Sequence, residues 1–179
     1  PGGPAPLVLS ATGPAALRAR IELTRELVTQ RPDLPPARIG AALVASRALF
    51  DHRAVLLGDA VESGVVTAGG LAFLFTGQGA QRAGMGAELS ARFPVFAAVF
   101  EDICARLGLG EALASEAIHQ TVHAQAGLFA VEVALFRLLE SWGVTPDYLL
   151  GHSIGEIAAA HVAGVMTLDD AVTLVSARG

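Results

Sequence analysis

Tyr148-Leu149-Leu150-Gly151-His152-Ser153-Ile154-Gly155-Glu156 (148–156) decides how this chain folds. A short apolar segment, expected as a strand over 148–150, runs into Gly-x-Ser-x-Gly and leaves through an apolar, Ala-rich helix expected over 154–163. That is the layout of a nucleophile elbow, where a serine on a sharp strand-to-helix turn holds its oxygen exposed at the top of a parallel sheet. Gly151 and Gly155 lack a Cβ, so strand and helix can close around a strained serine backbone. The same pentapeptide also arises by chance, as an ordinary tight turn, in a chain with 20 glycines. The strand before it and the helix after it favour the elbow.

Upstream, residues 71–75 (Leu-Ala-Phe-Leu-Phe) form an apolar run bounded by glycines, as expected of a central parallel strand buried on both faces. It enters the Gly-rich loop Thr76-Gly77-Gln78-Gly79-Ala80-Gln81. Helices are expected over 85–91, 93–107 and 124–142, the last stopped by Gly143. After the elbow helix closes at Gly164, Thr167-Leu168-Asp169-Asp170 carries an N-cap and acidic first-turn residues for a last helix. Strands alternating with helices imply a parallel sheet covered by helices on both faces.

The first seventy residues form a separate, small α/β unit. Residues 6–10 are expected as a strand, followed by a helix of about four turns with Thr12 as N-cap and Pro14 in its first turn. Arg31-Pro32-Asp33-Leu34-Pro35-Pro36 ends that helix, 39–49 is a second helix candidate and 53–57 a second strand. The Gly/Thr/Ala-rich stretch 63–70 is the expected domain boundary.

With 179 residues, 53% of them hydrophobic, the chain can bury one good core or two small ones. A formal charge of −5 with no basic run argues against nucleic acid or an anionic membrane surface as partner. No apolar stretch reads as long enough to cross a bilayer, and the Pro-Gly-Gly-Pro start is not a secretion signal, so a cytoplasmic location is expected. Cys104 is the single cysteine, which excludes an internal disulfide and reads as a small buried hydrophobe in a helix. All twelve basic residues are Arg, and Lys and Asn are missing, which fits a GC-rich bacterial genome. The chain has no initiator Met and stops after Ala177-Arg178-Gly179, so it is expected to be a piece of something longer.

Ser153 is a weak nucleophile until a base takes its proton. His152 is its neighbour, and adjacent side chains on an elbow point apart. His161 lies too far along the exit helix, while His52, His119 and His123 read as structural or solvated; the base is expected outside this chain. An oxyanion on a thioester attacked by Ser153 needs two donors. The backbone N–H of Ile154 at the start of the exit helix is one, and that of Gln78 is the natural second, because tips of adjacent parallel strands meet at one edge. On spacing alone, Gly77-Gln78-Gly79 reads first as a flexible turn, and Arg178 as a solvated helix residue.

Three segments in order, Phe-Leu-Phe-Thr-Gly-Gln-Gly-Ala-Gln (73–81), Gly-His-Ser-Ile-Gly-Glu (151–156) and Ser-Ala-Arg-Gly (176–179), together resemble the acyltransferase domains of modular type I polyketide synthases, relatives of malonyl-CoA:acyl carrier protein transacylases. Residues 128–143, Leu-Phe-Ala-Val-Glu-Val-Ala-Leu-Phe-Arg-Leu-Leu-Glu-Ser-Trp-Gly, are also typical, and Phe50-Asp51-His52-Arg53-Ala54-Val55 resembles the linker joining a ketosynthase to its acyltransferase. The resemblance implies a linker domain over 1–70 and, over 71–179, the N-terminal part of a hydrolase-like parallel-sheet acyltransferase core. The general-base histidine and the ferredoxin-like subdomain of the family would lie beyond this chain. It implies Ser153 as nucleophile, Gln78 and Ile154 as oxyanion donors, Arg178 as partner of the free carboxylate of a malonyl-type unit, and Gln125 as a residue that helps order the site.

The expected substrate is an acyl-coenzyme A, with no metal and no permanently bound cofactor. The expected partners are an acyl carrier protein with its phosphopantetheine thiol, the adjacent ketosynthase and the remainder of the acyltransferase. Methylmalonyl-selecting domains resemble Gly-His-Ser-Gln-Gly, so Ile154 favours malonyl. The segments 58–70 and 108–120 look shorter than is usual in the family. A serine esterase or patatin-like lipase shares the elbow, and a non-catalytic interaction fragment is the third reading.

Overall fold

The computed structural model describes residues 5–178; expectations touching residues 1–4 and Gly179 lie outside the described residues. The chain divides into two units, Pro1–Gly69 and Gly70–Gly179.

The first unit runs β1 (Leu7–Ala11), α1 (Pro14–Gln30), α2 (Pro36–Ser46), β2 (His52–Leu57), β3 (Ala60–Val65). Its sheet is antiparallel in the order β1-β2-β3, with Leu7 opposite Leu56 and Leu57 opposite Ala60. The tight β2–β3 turn uses Gly58 at φ 59°, a left-handed conformation that glycine adopts without a Cβ clash. Strand β3 occupies the start of the stretch expected to be a linker, so the boundary is narrower than 63–70 and falls between Gly69 and Gly70. Gly13, not Thr12, caps α1: its carbonyl accepts from Leu17 N at 2.9 Å, which leaves Thr12 outside the helix. Helix α2 starts three residues before the expected 39, because Pro36 in the first turn has its φ already set for a helix, and it ends where Arg47 turns extended. Leu7, Leu9, Ala54 and Leu56 pack with Leu17 of α1 and Ile39 of α2 as this unit's core.

The second unit runs β4 (Ala72–Phe75), α3 (Ala87–Arg92), α4 (Pro94–Arg106), two 3₁₀ turns (Gly110–Ala114 and Glu116–His119), α5 (Thr121–Ser141), β5 (Tyr148–Gly151), α6 (Ile154–Val162) and α7 (Leu168–Arg178). Strands β4 and β5 are parallel, with Ala72 opposite Tyr148 and Phe75 opposite Gly151, so both C-terminal tips lie side by side. Helix α5 is the spine of the core. Phe96, Phe100 and Ile103 of α4, Phe129, Val133 and Phe136 of α5, Ile154 of α6 and Val175 of α7 belong to one buried cluster. Burying a side chain such as Phe96 or Phe129 contributes about 2–3 kcal/mol. The last helix begins with a capping box: Asp170 N donates to Thr167 Oγ1 at 3.1 Å, and Thr167 N donates to Asp170 Oδ2 at 3.3 Å.

Two expectations meet a different picture among the described residues. Strand β4 is buried on one face only. Phe73 and Phe75 turn toward Phe136 of α5, with centroids at 6.0 and 6.3 Å, while Leu74 and its neighbours Tyr148 and Leu150 are 72%, 67% and 65% exposed. Among the described residues the helices pack against the Phe73 face, so the sheet's pleat leaves the alternate side chains open. The second concerns length, where the expectation fails. Helix α5, with 21 residues, is long and apolar enough to cross a membrane by composition, yet most of it is buried in this unit's core.

Candidate active site

The two parallel strand tips form the floor of the site. At the end of β5 the chain turns at Ser153, whose φ of 56° and ψ of −113° make it the one non-glycine residue with a left-handed φ among those described. Such a backbone costs on the order of 1–3 kcal/mol and persists only where neighbours over-determine it. The neighbours are visible. A Cβ on Gly151 would overlap the Gly155 carbonyl and the Glu156 Cα, and a Cβ on Gly155 would overlap the Phe75 carbonyl and stand 2.6 Å from Thr76 O. His152 N donates to Phe75 O at 3.1 Å, and a Cβ on Gly77 would overlap the His152 ring. The elbow therefore sits directly on the turn that leaves β4.

Four side chains from four segments form one hydrogen-bonded chain above this floor. Arg178, the last residue of α7, donates from Nη2 to Ser153 Oγ at 3.2 Å and from Nε to Gln125 Oε1 at 3.3 Å. Buried Gln125 donates in turn from Nε2 to Gln78 Oε1 at 3.3 Å. Ser153, Arg178, Gln125 and Gln78 were all singled out from the sequence, and the fold brings them together. Gln125 is the linchpin: a buried amide satisfied at both ends fixes which way Gln78 and Arg178 face it. Ile154 is fully buried, so its side chain serves the core and only its backbone is offered to the site. Among the described residues neither the Ile154 N–H nor the Gln78 N–H donates to a protein group.

Among the described residues no histidine is hydrogen-bonded to Ser153. His161 Nδ1 is 3.2 Å from Met166 O, and His123 Nδ1 is 3.0 Å from Ala117 O. His119 sits 3.6 Å from Glu116, and His152 is solvent-exposed. Among the described residues Ser153 Oγ has Arg178 as its one hydrogen-bond partner, so its proton has no acceptor there. Cys104 is half-buried in α4, and burial, reinforced by Glu101, pushes its thiol up to about 11. No group of three metal-ligating side chains occurs among the described residues.

One site-facing residue had escaped sequence reasoning. Glu132, in the middle of α5, accepts at Oε1 from the backbone N–H of Thr76 at 2.6 Å and from Thr76 Oγ1 at 3.0 Å. Burial raises its carboxyl above the ordinary carboxylate range, and the Thr76 bonds offset this only in part. The available signal was a lone acidic residue on the otherwise apolar run 128–136.

A serine oxygen beside a guanidinium sets a fixed positive charge next to a hydroxyl at the tip of the sheet. Comparison with known proteins identifies the family. The family described as Acyl transferase domain matches residues 72–179. The spectinabilin polyketide synthase system protein NorB of Streptomyces orinoci is 45% identical over 206 aligned residues, covering 97% of this chain and 10% of NorB. An alignment longer than the chain's 179 residues needs gaps in it. Among solved structures, the acyltransferase domain from the second module of the salinomycin polyketide synthase matches with 45% identity and a TM-score of 0.67, covering 96% of this chain and 46% of that one. A malonyl-transacylase solved with its type II polyketide synthase acyl-carrier protein matches with 34% identity and a TM-score of 0.57, over 62% of this chain and 38% of that one. The chain thus spans about a tenth of NorB and less than half of the solved acyltransferase. By motif, fold and similarity together, it belongs to the acyltransferase domains of modular type I polyketide synthases.

Proposed function

We propose that this chain carries the nucleophile half of a malonyl-type acyl-transfer site. Ser153 Oγ attacks the thioester carbonyl of malonyl-coenzyme A; the C–S bond breaks, coenzyme A leaves as its thiol, and the acyl group rests on Ser153 as an ester. The phosphopantetheine thiol of an acyl carrier protein then attacks that ester, and Ser153 recovers its proton. The backbone N–H groups of Gln78 and Ile154 receive the negative charge that develops on the carbonyl oxygen, where preorganised donors lower the barrier most. Arg178 pairs with the free carboxylate of the acyl unit, a planar fork suited to two parallel hydrogen bonds. Gln125 holds the guanidinium at that angle.

The observation that carries this reading is Arg178 Nη2 at 3.2 Å from Ser153 Oγ, a fixed positive charge beside the reactive oxygen. An esterase acting on neutral acyl groups has no use for it. The general base is a histidine outside this chain, and the remainder of the acyltransferase covers the open Leu74-Leu150 face of the sheet. Residues 1–70 form the linker to an adjacent ketosynthase in the same bacterial cytoplasmic synthase. Ile154 after the serine favours malonyl over methylmalonyl.

The test is to incubate the full-length protein with malonyl-coenzyme A and phosphopantetheinylated carrier. Malonyl on the carrier is expected; free malonate with an unmodified carrier would make the protein a hydrolase and overturn the proposal.

A further inference from the structure

Thr76 is the hinge between strand and loop at this site. On one side its carbonyl closes against Gly155, leaving no space for a Cβ. On the other, Glu132 takes both of its donors, the backbone N–H at 2.6 Å and Oγ1 at 3.0 Å, onto a single oxygen, Oε1. Immediately after Thr76 come Gly77, packed on the His152 ring, and Gln78, bonded to Gln125. Glu132 reaches Thr76 from among Leu135, Phe136 and Leu139, beside strand β4. Its second oxygen, Oε2, is buried with no partner among the described residues. A starved carboxylate oxygen is a penalty that a leucine at this position would avoid, so an isolated buried acceptor of this kind calls for a compensating role. Its compensation is the pair of hydrogen bonds from Thr76, and among the described residues no other side-chain hydrogen bond ties Thr76 to the helical layer.

We propose that Glu132 is a positioning residue for acyl transfer: by clamping Thr76 it fixes the end of β4, on which the Ser153 elbow closes and from which Gln78 is presented. This rests on the acyl-transfer reading above. Glu132 touches neither substrate nor the reacting atoms. Its loss lets the Thr76-Gly77-Gln78 backbone move relative to Ser153, so the oxyanion donor leaves its place while the outer acyl-coenzyme A contacts persist. The effect falls on the chemical step, and a displacement near 1 Å there slows reaction by about 10- to 100-fold.

The experiment uses the full-length protein, with Glu132→Ala and Glu132→Gln compared by single-turnover acylation from malonyl-coenzyme A and by amide exchange of the peptide spanning 73–81. Glu132→Ala is expected to lower kcat by about 10- to 100-fold with little change in KM, and to speed exchange of the Thr76 to Gln78 amides. Glu132→Gln keeps an amide oxygen in the place of Oε1 and is expected to restore most of both. Equal kcat in wild type and Glu132→Ala, a change confined to KM, or a Gln variant as impaired as the Ala variant would each overturn the proposal. Should Glu132→Ala not fold, Thr76→Val, which deletes one of the two donors, takes its place: unaltered exchange and rate in that variant overturn it equally. An inactive wild type would refute the acyl-transfer reading itself, and the exchange data would still decide whether Glu132 anchors Thr76.

Discussion

Replacing Gly155 by alanine should disable the site while leaving its polar residues untouched. The added Cβ would overlap the Phe75 carbonyl oxygen and lie 2.6 Å from both Phe75 C and Thr76 O. Non-bonded carbon atoms settle at about 3.5 Å or beyond, so α6 and the end of β4 must part by roughly 0.9 Å. Both partners are backbone, one in a paired strand and one in a buried helix, so no side-chain rotation relieves the overlap. Overpacking typically costs about 1–3 kcal/mol, and a rigid backbone clash belongs at the upper end. The same displacement separates Ser153 from the Gln78 loop, and a misplacement near 1 Å costs about 10²-fold in rate. The assay is rapid-quench acylation of the full-length protein by malonyl-coenzyme A, with Gly64→Ala as control, because a Cβ at Gly64 meets nothing within 4 Å. A Gly155→Ala protein that acylates as fast as the control would refute the packing argument.

Arg178→Ala should lose selection for carboxylated acyl groups. A hydrogen bond to a charged group contributes about 1.5–3 kcal/mol, and discounting two of them for the exposure of Arg178 leaves about 2 kcal/mol, or about 30-fold in the malonyl-to-acetyl kcat/KM ratio. An unchanged ratio would remove Arg178 from the site. Glu132 has a folded-state pKa raised by burial, so its contribution to stability is complete below the unfolded value of about 4.3 and is lost as pH rises through the folded value. The melting temperature of Glu132→Gln relative to wild type should therefore climb as pH increases from about 4 upward; a flat or falling difference contradicts the burial argument. Cys104, its thiol pushed up to about 11, should resist iodoacetamide at neutral pH in the native protein and label only on unfolding. Rapid native labelling would show that α4 opens.

Legibility differed between the elbow and its surroundings. The run 148–156 announced both strand and turn because Gly-x-Ser-x-Gly encodes a steric requirement, and the Cβ overlaps at Gly151 and Gly155 are that requirement in coordinates. Thr167 and Asp170 were equally readable, since a capping box is local. The face of β4 was not. A run such as Leu-Ala-Phe-Leu-Phe fits a strand covered on both sides, and among the described residues only one side is covered, which leaves Leu74 72% exposed. Strand β3 was hidden because Glu62, Ser63 and Gly64 carry turn-like composition, and its pairing with β2 is set by the Gly58 turn instead. Glu132 was missed for a related reason. It sits on a face of α5 that periodicity assigns to the core, and its partner Thr76 is 56 residues away in sequence. Arg178, which alone reads as a solvated helix residue, gains meaning from contacts with Gln125 and Ser153 that no spacing rule supplies.

Every step proposed for this site passes through an acyl group on Ser153. Intact-mass analysis of the full-length protein after brief exposure to malonyl-coenzyme A, followed by peptide mapping, tests it most directly. A single malonyl adduct is expected on the peptide containing Ser153, absent from Ser153→Ala and discharged by phosphopantetheinylated carrier protein. An adduct that survives Ser153→Ala, or a wild-type protein that never acquires one, would contradict it.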